Sequence, residues 1–348
     1  MSMLGAGVLL GMFSILATFD ARAQSDAVRF DHAIAFAAKG NMTEALPRLD
    51  KLPDSVLTER QRSSRDCITS RFRSAAIEKP ADESLPSVAT RAIDAYRRYW
   101  TAVMLGRAKR DAADRELSEA LGVLVPEAPA ALDDRIGAVQ RRLEAAGLNA
   151  YMGHKPPLRE LMIWRSQSKS RETVALPDGP TAIDVIMLDD FVSLGWQGWT
   201  TCDLRYSAAW AIDGGTMVVA KAWERTAESY SVSLLAHEAQ HVRDHRSYPK
   251  LSQPDLEFRG KLVELALAER SQPHLLTTMT TESRKSRNLP HPFANYWVVE
   301  RLRGRLGTRD LASAKPDMIR LAAREELRRH SNDLDSLGRE TAVTALPD

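Results

Sequence analysis

Apolar residues recur at helical spacing through most of the first 150 positions. Ala33, Ile34, Phe36 and Ala37 form a stripe that Gly40-Asn41 interrupts, and Thr43 stands where it caps a second helix through Leu46. Residues 27–77 read as helical throughout. After a polar, Pro-containing linker over 79–86, two longer amphipathic patterns follow. Positions 88–106 carry Ala89, Ile93, Tyr96, Trp100, Val103 and Met104 near helical spacing. Positions 133–147 repeat this with Ile136, Val139, Leu143 and Ala146 before a stop at Gly147. The period then changes. Residues 160–164 and 172–176 alternate, the second run closed by Pro177-Asp178-Gly179-Pro180, while 183–188 and 199–204 read as further strands. Residues 208–220 read as a hairpin about Asp213-Gly214-Gly215. Helical spacing returns near 231–247, then from Leu256 to about residue 270 with Asp255 as its cap, beyond Pro290-His291-Pro292, and over 317–330. From Ser331 onward the tail is polar and expected to fray. The pattern predicts a mostly helical α+β protein, with a helical region over 24–150 and a domain over 151–348 that holds a small sheet.

Composition alters this picture little. The 348 residues suffice for one large domain or two smaller ones, with 44% hydrophobic and 27% charged positions. Lys plus Arg number 48 against 46 Asp plus Glu, a net charge of +2 that argues against nucleic acid as a partner. The opening residues differ in kind. An apolar run over 4–16 leads to Ala21-Arg22-Ala23, which reads as a secretory signal over 1–23, too short for a comfortable membrane span and lacking a preceding basic residue. A periplasmic or secreted protein is expected, with no membrane span once the signal is removed. Cys67 and Cys202 have no second Cys or His at zinc-site spacing; an exported protein could pair them, but two unpaired, buried cysteines is the favoured reading. Gly40-Asn41-Met42-Thr43-Glu44-Ala45-Leu46 is similar to the turn of a tetratricopeptide-type hairpin. It occurs once, so a packing hairpin is favoured over a solenoid, with recruitment of a protein partner as the functional alternative.

Chemistry concentrates at His237-Glu238-Ala239-Gln240-His241, an H-E-x-x-H sequence without Pro or Gly inside it and preceded by Val232, Leu234 and Leu235. On a helix, residues four apart share a face, so His237 and His241 aim at one point, with Glu238 close enough to reach a water held there. Two imidazoles and a carboxylate are the donor and base types of a catalytic zinc site. Here the chain resembles the zincin metallopeptidases, and more closely the branch in which a Glu from a later helix is the third ligand. The resemblance spans about residues 183–270 and is one of motif. It implies that His237 and His241 bind Zn2+, that Glu238 is the general base, and that the substrate is a peptide or protein. The hairpin ahead of the motif could then add an extended peptide as a further strand.

Glu257 and Glu264 both stand on the following helix as third-ligand candidates. Glu257 is favoured because Gly260, three positions on, would let two helices approach closely. Glu264, between Val263 and Leu265, is the alternative ligand or a partner for a motif histidine. His245 continues the i, i+4, i+8 ladder but lies off the line of the first two histidines, so it reads as exposed or as an outer group. Asp244 could orient an imidazole. His291 and Tyr296 are the candidates for stabilising an oxyanion, each also explained by packing at a helix start. Trp196, Trp199, Trp210 and Trp223 read mainly as core. The competing reading is a non-catalytic scaffold whose zincin-like domain holds zinc structurally.

Overall fold

The structure, a computed structural model, describes residues 29–74 and 84–348. The expected signal over 1–23 lies outside these residues, as does most of the linker over 79–86. The fold is α+β and mostly helical. Among the described residues no helix is long and apolar enough to cross a membrane. The chain divides into two compact units, one holding residues up to 166 together with 190–207, the other 167–189 and 208–348. A long hairpin, β2 (Leu158–Leu176) and β3 (Gly179–Leu194), runs through both units.

The first unit contains α1 (29–38), α2 (Met42–Asp50), α3 (Glu59–Arg73), α4 (Ser87–Met104), α5 (Arg110–Gly122) and α6 (Leu132–Ala145). Asn41, not Thr43, caps α2, accepting the Glu44 N–H at 3.3 Å. Tyr96 and Trp100 of α4 pack with Phe72, Trp196 and Trp199 in one apolar core. The strand β1 (Asn149–Lys155) pairs antiparallel with residues 158–164 of β2. Where a strand was expected over 199–204, the chain forms α7 (Gly195–Thr200) followed by turns. Buried Glu160 accepts the Trp196 N–H at 2.8 Å, satisfying one of the free donors in the first turn of this short helix. Gly195, at φ +81°, makes this possible, because a Cβ there would lie 2.2 Å from Glu160 Oε1. The cysteines are not free. Cys67 on α3 and Cys202 after α7 form a disulfide with their Cα atoms 6.4 Å apart, a proximity that a sequence separation of 135 conceals.

In the second unit, β3 pairs parallel with β5 (Gly215–Val219), and β5 antiparallel with the edge strand β4 (Ala209–Ile212) about the anticipated Asp213-Gly214 turn. The two alternating runs at 160–164 and 172–176 are parts of one strand, β2; the polar stretch 165–171 between them stays extended beside β3. A π-helix (Tyr230–Ala236) leads into α8 (His237–Ser247), followed by α9 (Gln253–Leu267), α10 (Gln272–Thr281), α11 (Pro290–Leu306) and α12 (Pro316–Leu337). Helix α9 sits in the middle, packed on α8, α11 and α12, and is buried on every face. Asp255 does not cap α9. It is fully buried within it, accepting the N–H groups of Ala345 (2.9 Å) and Leu346 (3.2 Å) and the Thr344 hydroxyl. The expected frayed tail is therefore docked: α12 continues to Leu337, and Ala342 and Leu346 are buried beyond it.

Candidate metal centre

Helix α8 continues a π-helix whose Tyr230, Val232, Leu234 and Ala236 are buried in the second unit's core. The lead into it is anchored by Glu228, which accepts the backbone N–H groups of Glu269, Arg270 and Ser271 at 2.7, 3.2 and 2.6 Å. One α-turn apart, His237 and His241 share a face, with ring centroids 4.5 Å from each other. Helix α9 reaches this face through Gly260. A Cβ at that position would lie 2.6 Å from His237 Cε1 and 2.8 Å from both ring nitrogens, so only glycine admits the contact.

That approach carries Glu257 onto the histidines. His237 Nε2 is 3.3 Å from Glu257 Oε2, and His241 Nε2 is 3.6 Å from Glu257 Oε1. One ligand atom from each of the three side chains lies within 4.8 Å of the others, and all three residues are buried. Two donors each about 2.0–2.2 Å from a tetrahedral zinc stand roughly 3.3–3.5 Å apart. The observed separations, one to each oxygen of Glu257, are of that order, so the cluster could hold a metal ion. The donor set fits as well: two imidazole nitrogens that can be neutral, and a carboxylate oxygen. Glu257 Oε2 is buried and has only imidazole nitrogens close to it, His237 Nε2 at 3.3 Å and His291 Nδ1 at 2.8 Å. His241 Nδ1 is buried without a hydrogen bond.

Around these three residues the second carboxylate of α9 takes a different place. Glu264 Oε1 meets His237 Nδ1 at 2.7 Å and also accepts from Lys261 Nζ at 2.8 Å. With Nδ1 engaged by Glu264, Nε2 is the ring nitrogen of His237 that faces Glu257. Glu264 thus lies behind a histidine, and Glu257 beside both. His291, exposed at the start of α11, places Nδ1 2.8 Å from Glu257 Oε2. Electrostatics bind the group tightly. Burial works against the charge on His237, but Glu257 and Glu264 outweigh it and push the imidazole up to about 10. Burial would raise the Glu257 carboxyl, yet His237, His241 and His291 hold it well below the usual carboxylate range. The Glu264 carboxyl is also lowered, with Lys261 and His237 overcoming the cost of burial.

Glu238 follows His237 on α8 and is half-buried. Tyr296 is half-buried on α11, with its ring edge-on to Trp297. His245 is exposed and lies with Arg246, Asp213 and Pro249 along a separate cleft of about 580 Å³. Asp244 orients no ligand imidazole; it accepts from Gln240 Nε2 and Arg259 Nε, each at 2.8 Å. Of the tryptophans, Trp196 and Trp199 belong to the first unit's core, and Trp223 donates to the Ala208 carbonyl at 3.1 Å. The pairing of Arg259 with Asp244 had no signature in the sequence, since neither residue stands out from the many charged helix positions. Set against known proteins, the chain matches no family model, no curated protein and no solved structure.

Proposed function

We propose that the chain is a zinc-dependent hydrolase, most specifically a peptidase acting on a peptide or protein in the periplasm or outside the cell. The observation that carries this reading is the convergence of His237 Nε2, His241 Nε2 and a Glu257 oxygen, with Glu238 next to the first histidine. His237, His241 and Glu257 would hold the zinc, which when bound supplies Lewis acidity that activates water and polarises a carbonyl. Glu238 takes the proton from the attacking water and delivers it to the leaving amine nitrogen. Glu264 fixes the His237 tautomer, so that Nδ1–H faces the carboxylate and Nε2 is free to coordinate. His291 sits at the mouth of the site on Glu257, in reach of solvent and substrate. The disulfide between Cys67 and Cys202 supports an oxidising compartment.

The experiment pairs metal content with turnover. Purified protein should hold one zinc per chain and cleave an unfolded-protein substrate in a chelator-sensitive manner. Glu238→Gln should keep the zinc and lose roughly 10²–10⁴-fold in rate, the range for removing a general base. Zinc-free protein from a zinc-replete preparation, or a Glu238→Gln variant as fast as wild type, would sink the mechanism.

A further inference from the structure

Behind the proposed ligands lies a line of buried, charged side chains that takes no part in the chemistry above. Asp244 (1% exposed) stands three residues after His241 on α8, and Arg259 (3% exposed) two residues after Glu257 on α9. Arg259 Nε donates to Asp244 Oδ2 at 2.8 Å, and its guanidinium lies over the Tyr248 ring with Cζ 5.6 Å from the centroid. Asp244 Oδ1 accepts from Gln240 Nε2 at 2.8 Å, on the turn that also bears His241. On its far side Arg259 Nη1 reaches Ser331 Oγ at 3.0 Å and His330 Nδ1 at 3.4 Å, both on α12. Arginine only donates, so His330 accepts at Nδ1 and donates from Nε2 to Asp255 Oδ1, 3.2 Å away. The line therefore joins α8, α9 and α12 through groups with fixed donor and acceptor roles.

Desolvating these charges is costly, and apolar residues of similar volume would pack the same space at least as stably. What an ion pair adds is register. It is made at one relative setting of two helices, whereas an apolar contact tolerates sliding. The setting of α8 against α9 at which Asp244 meets Arg259 is the one at which His237 and His241 meet Glu257, with Asp244 three residues beyond His241 and Arg259 two beyond Glu257. We infer that Asp244, Arg259 and His330 are positioning residues of the metal centre, holding α8 and α9 in the register that brings the three ligands together. The inference rests on the zinc reading given above.

The test measures Zn2+ affinity by competition with a chromophoric chelator, together with the visible spectrum of the Co2+-loaded protein. Variants are Arg259→Lys, Arg259→Met and the double variant Asp244→Leu/Arg259→Met, the last of which removes both charges and keeps the volume. Zn2+ affinity should fall on the order of 10–100-fold in Arg259→Met, the effect usual for groups that orient metal ligands. The double variant should melt near wild type without metal yet bind Zn2+ as weakly as Arg259→Met, with a Co2+ spectrum altered by loss of a protein ligand. Arg259→Lys, with one contact to Asp244 and no fork to α12, should fall between. If the folded double variant keeps wild-type Zn2+ affinity and Co2+ spectrum, the line serves packing alone and the inference is overturned. Wild-type protein that binds no Zn2+ would instead remove the metal reading, and this inference with it.

Discussion

Among its described residues the first unit buries one acidic side chain, Glu160, and satisfies it with backbone N–H groups. The second buries His237, His241, Glu257 and Glu264 at one site and Asp244, Arg259, His330 and Asp255 beside it, linked side chain to side chain. The direction of the pKa shifts follows this contrast. Burial pushes the Glu160 carboxyl up, because backbone N–H groups and a partly buried Lys155 do not outweigh it. In the second unit burial is outweighed for Asp255, Glu257 and Glu264, and all three carboxyls are lowered. A helix as thoroughly buried as α9 would ordinarily be apolar on all sides. That it carries Asp255, Glu257, Arg259 and Glu264 instead is the departure from local consistency expected where structure serves a site. Both units have an apolar core, to which the first adds a covalent link and the second a set of paired, buried charges.

The strongest blow to the first unit should come from its covalent link. Cys67→Ser/Cys202→Ser opens a loop of 135 residues and should cost about 2–5 kcal/mol of stability, read by denaturant unfolding. Zinc content per folded chain should stay unchanged. An equal fall in zinc affinity would break the contrast, since the second unit's site would then depend on the first unit's disulfide.

The converse blow falls on α9. Gly260→Ala places a methyl group where His237 now lies, 2.6 Å from Cε1. Overpacking of this kind costs about 1–3 kcal/mol, and because the group displaced is a proposed ligand, zinc affinity should drop far more than stability. The check is a pair of melts, with and without added zinc. Wild type should gain a zinc-dependent rise in melting temperature that Gly260→Ala lacks. A variant that retains the full rise would show that the close approach at Gly260 is not needed for the site.

What the chain reveals before folding tracks how local each feature is. The four-residue spacing of His237 and His241, the Asp213-Gly214 turn and Gly260 three positions after Glu257 are short-range patterns, and each appears in the structure as spaced. Glu257 and Glu264 share a helix and a face, so nothing local separates them. Their different places come from the crossing of α8 over α9, which puts Glu257 beside both imidazoles and Glu264 behind one. Helix α5, inside the region expected to be helical, leaves only a weak periodic signal because its buried stripe is narrow, limited to Ala113, Leu117 and Leu121 among apolar residues. The middle of β2 escaped notice because 165–171 has no apolar residue to set a period, and its strand form depends on pairing with β3. Thr200-Thr201 suggested a strand, yet both hydroxyls bond back to carbonyls four residues earlier, inside and just after α7. The docked tail is the same lesson in reverse. Polar Thr344 belongs there because buried Asp255, far away in sequence, accepts its hydroxyl.

The smallest expected effect sharpens the contrast through pH. Burial, the dominant influence on Glu160, raises its folded pKa above the unfolded value of about 4.3 against the pull of the Trp196 and Leu161 N–H groups and Lys155. Its contribution to stability is therefore full below that unfolded value and is lost as pH rises through the folded one. Glu160→Gln keeps a carbonyl oxygen for the two N–H groups and removes the titration. Relative to this variant, wild type should lose stability steadily between pH 4 and the folded pKa and hold a constant difference above it. Denaturant unfolding at a series of pH values reads the change directly. A wild-type-minus-variant difference that does not move with pH would mean that α7 accommodates the carboxylate as well as the paired charges of α9 are accommodated, and the two units would no longer differ in how they pay for buried charge.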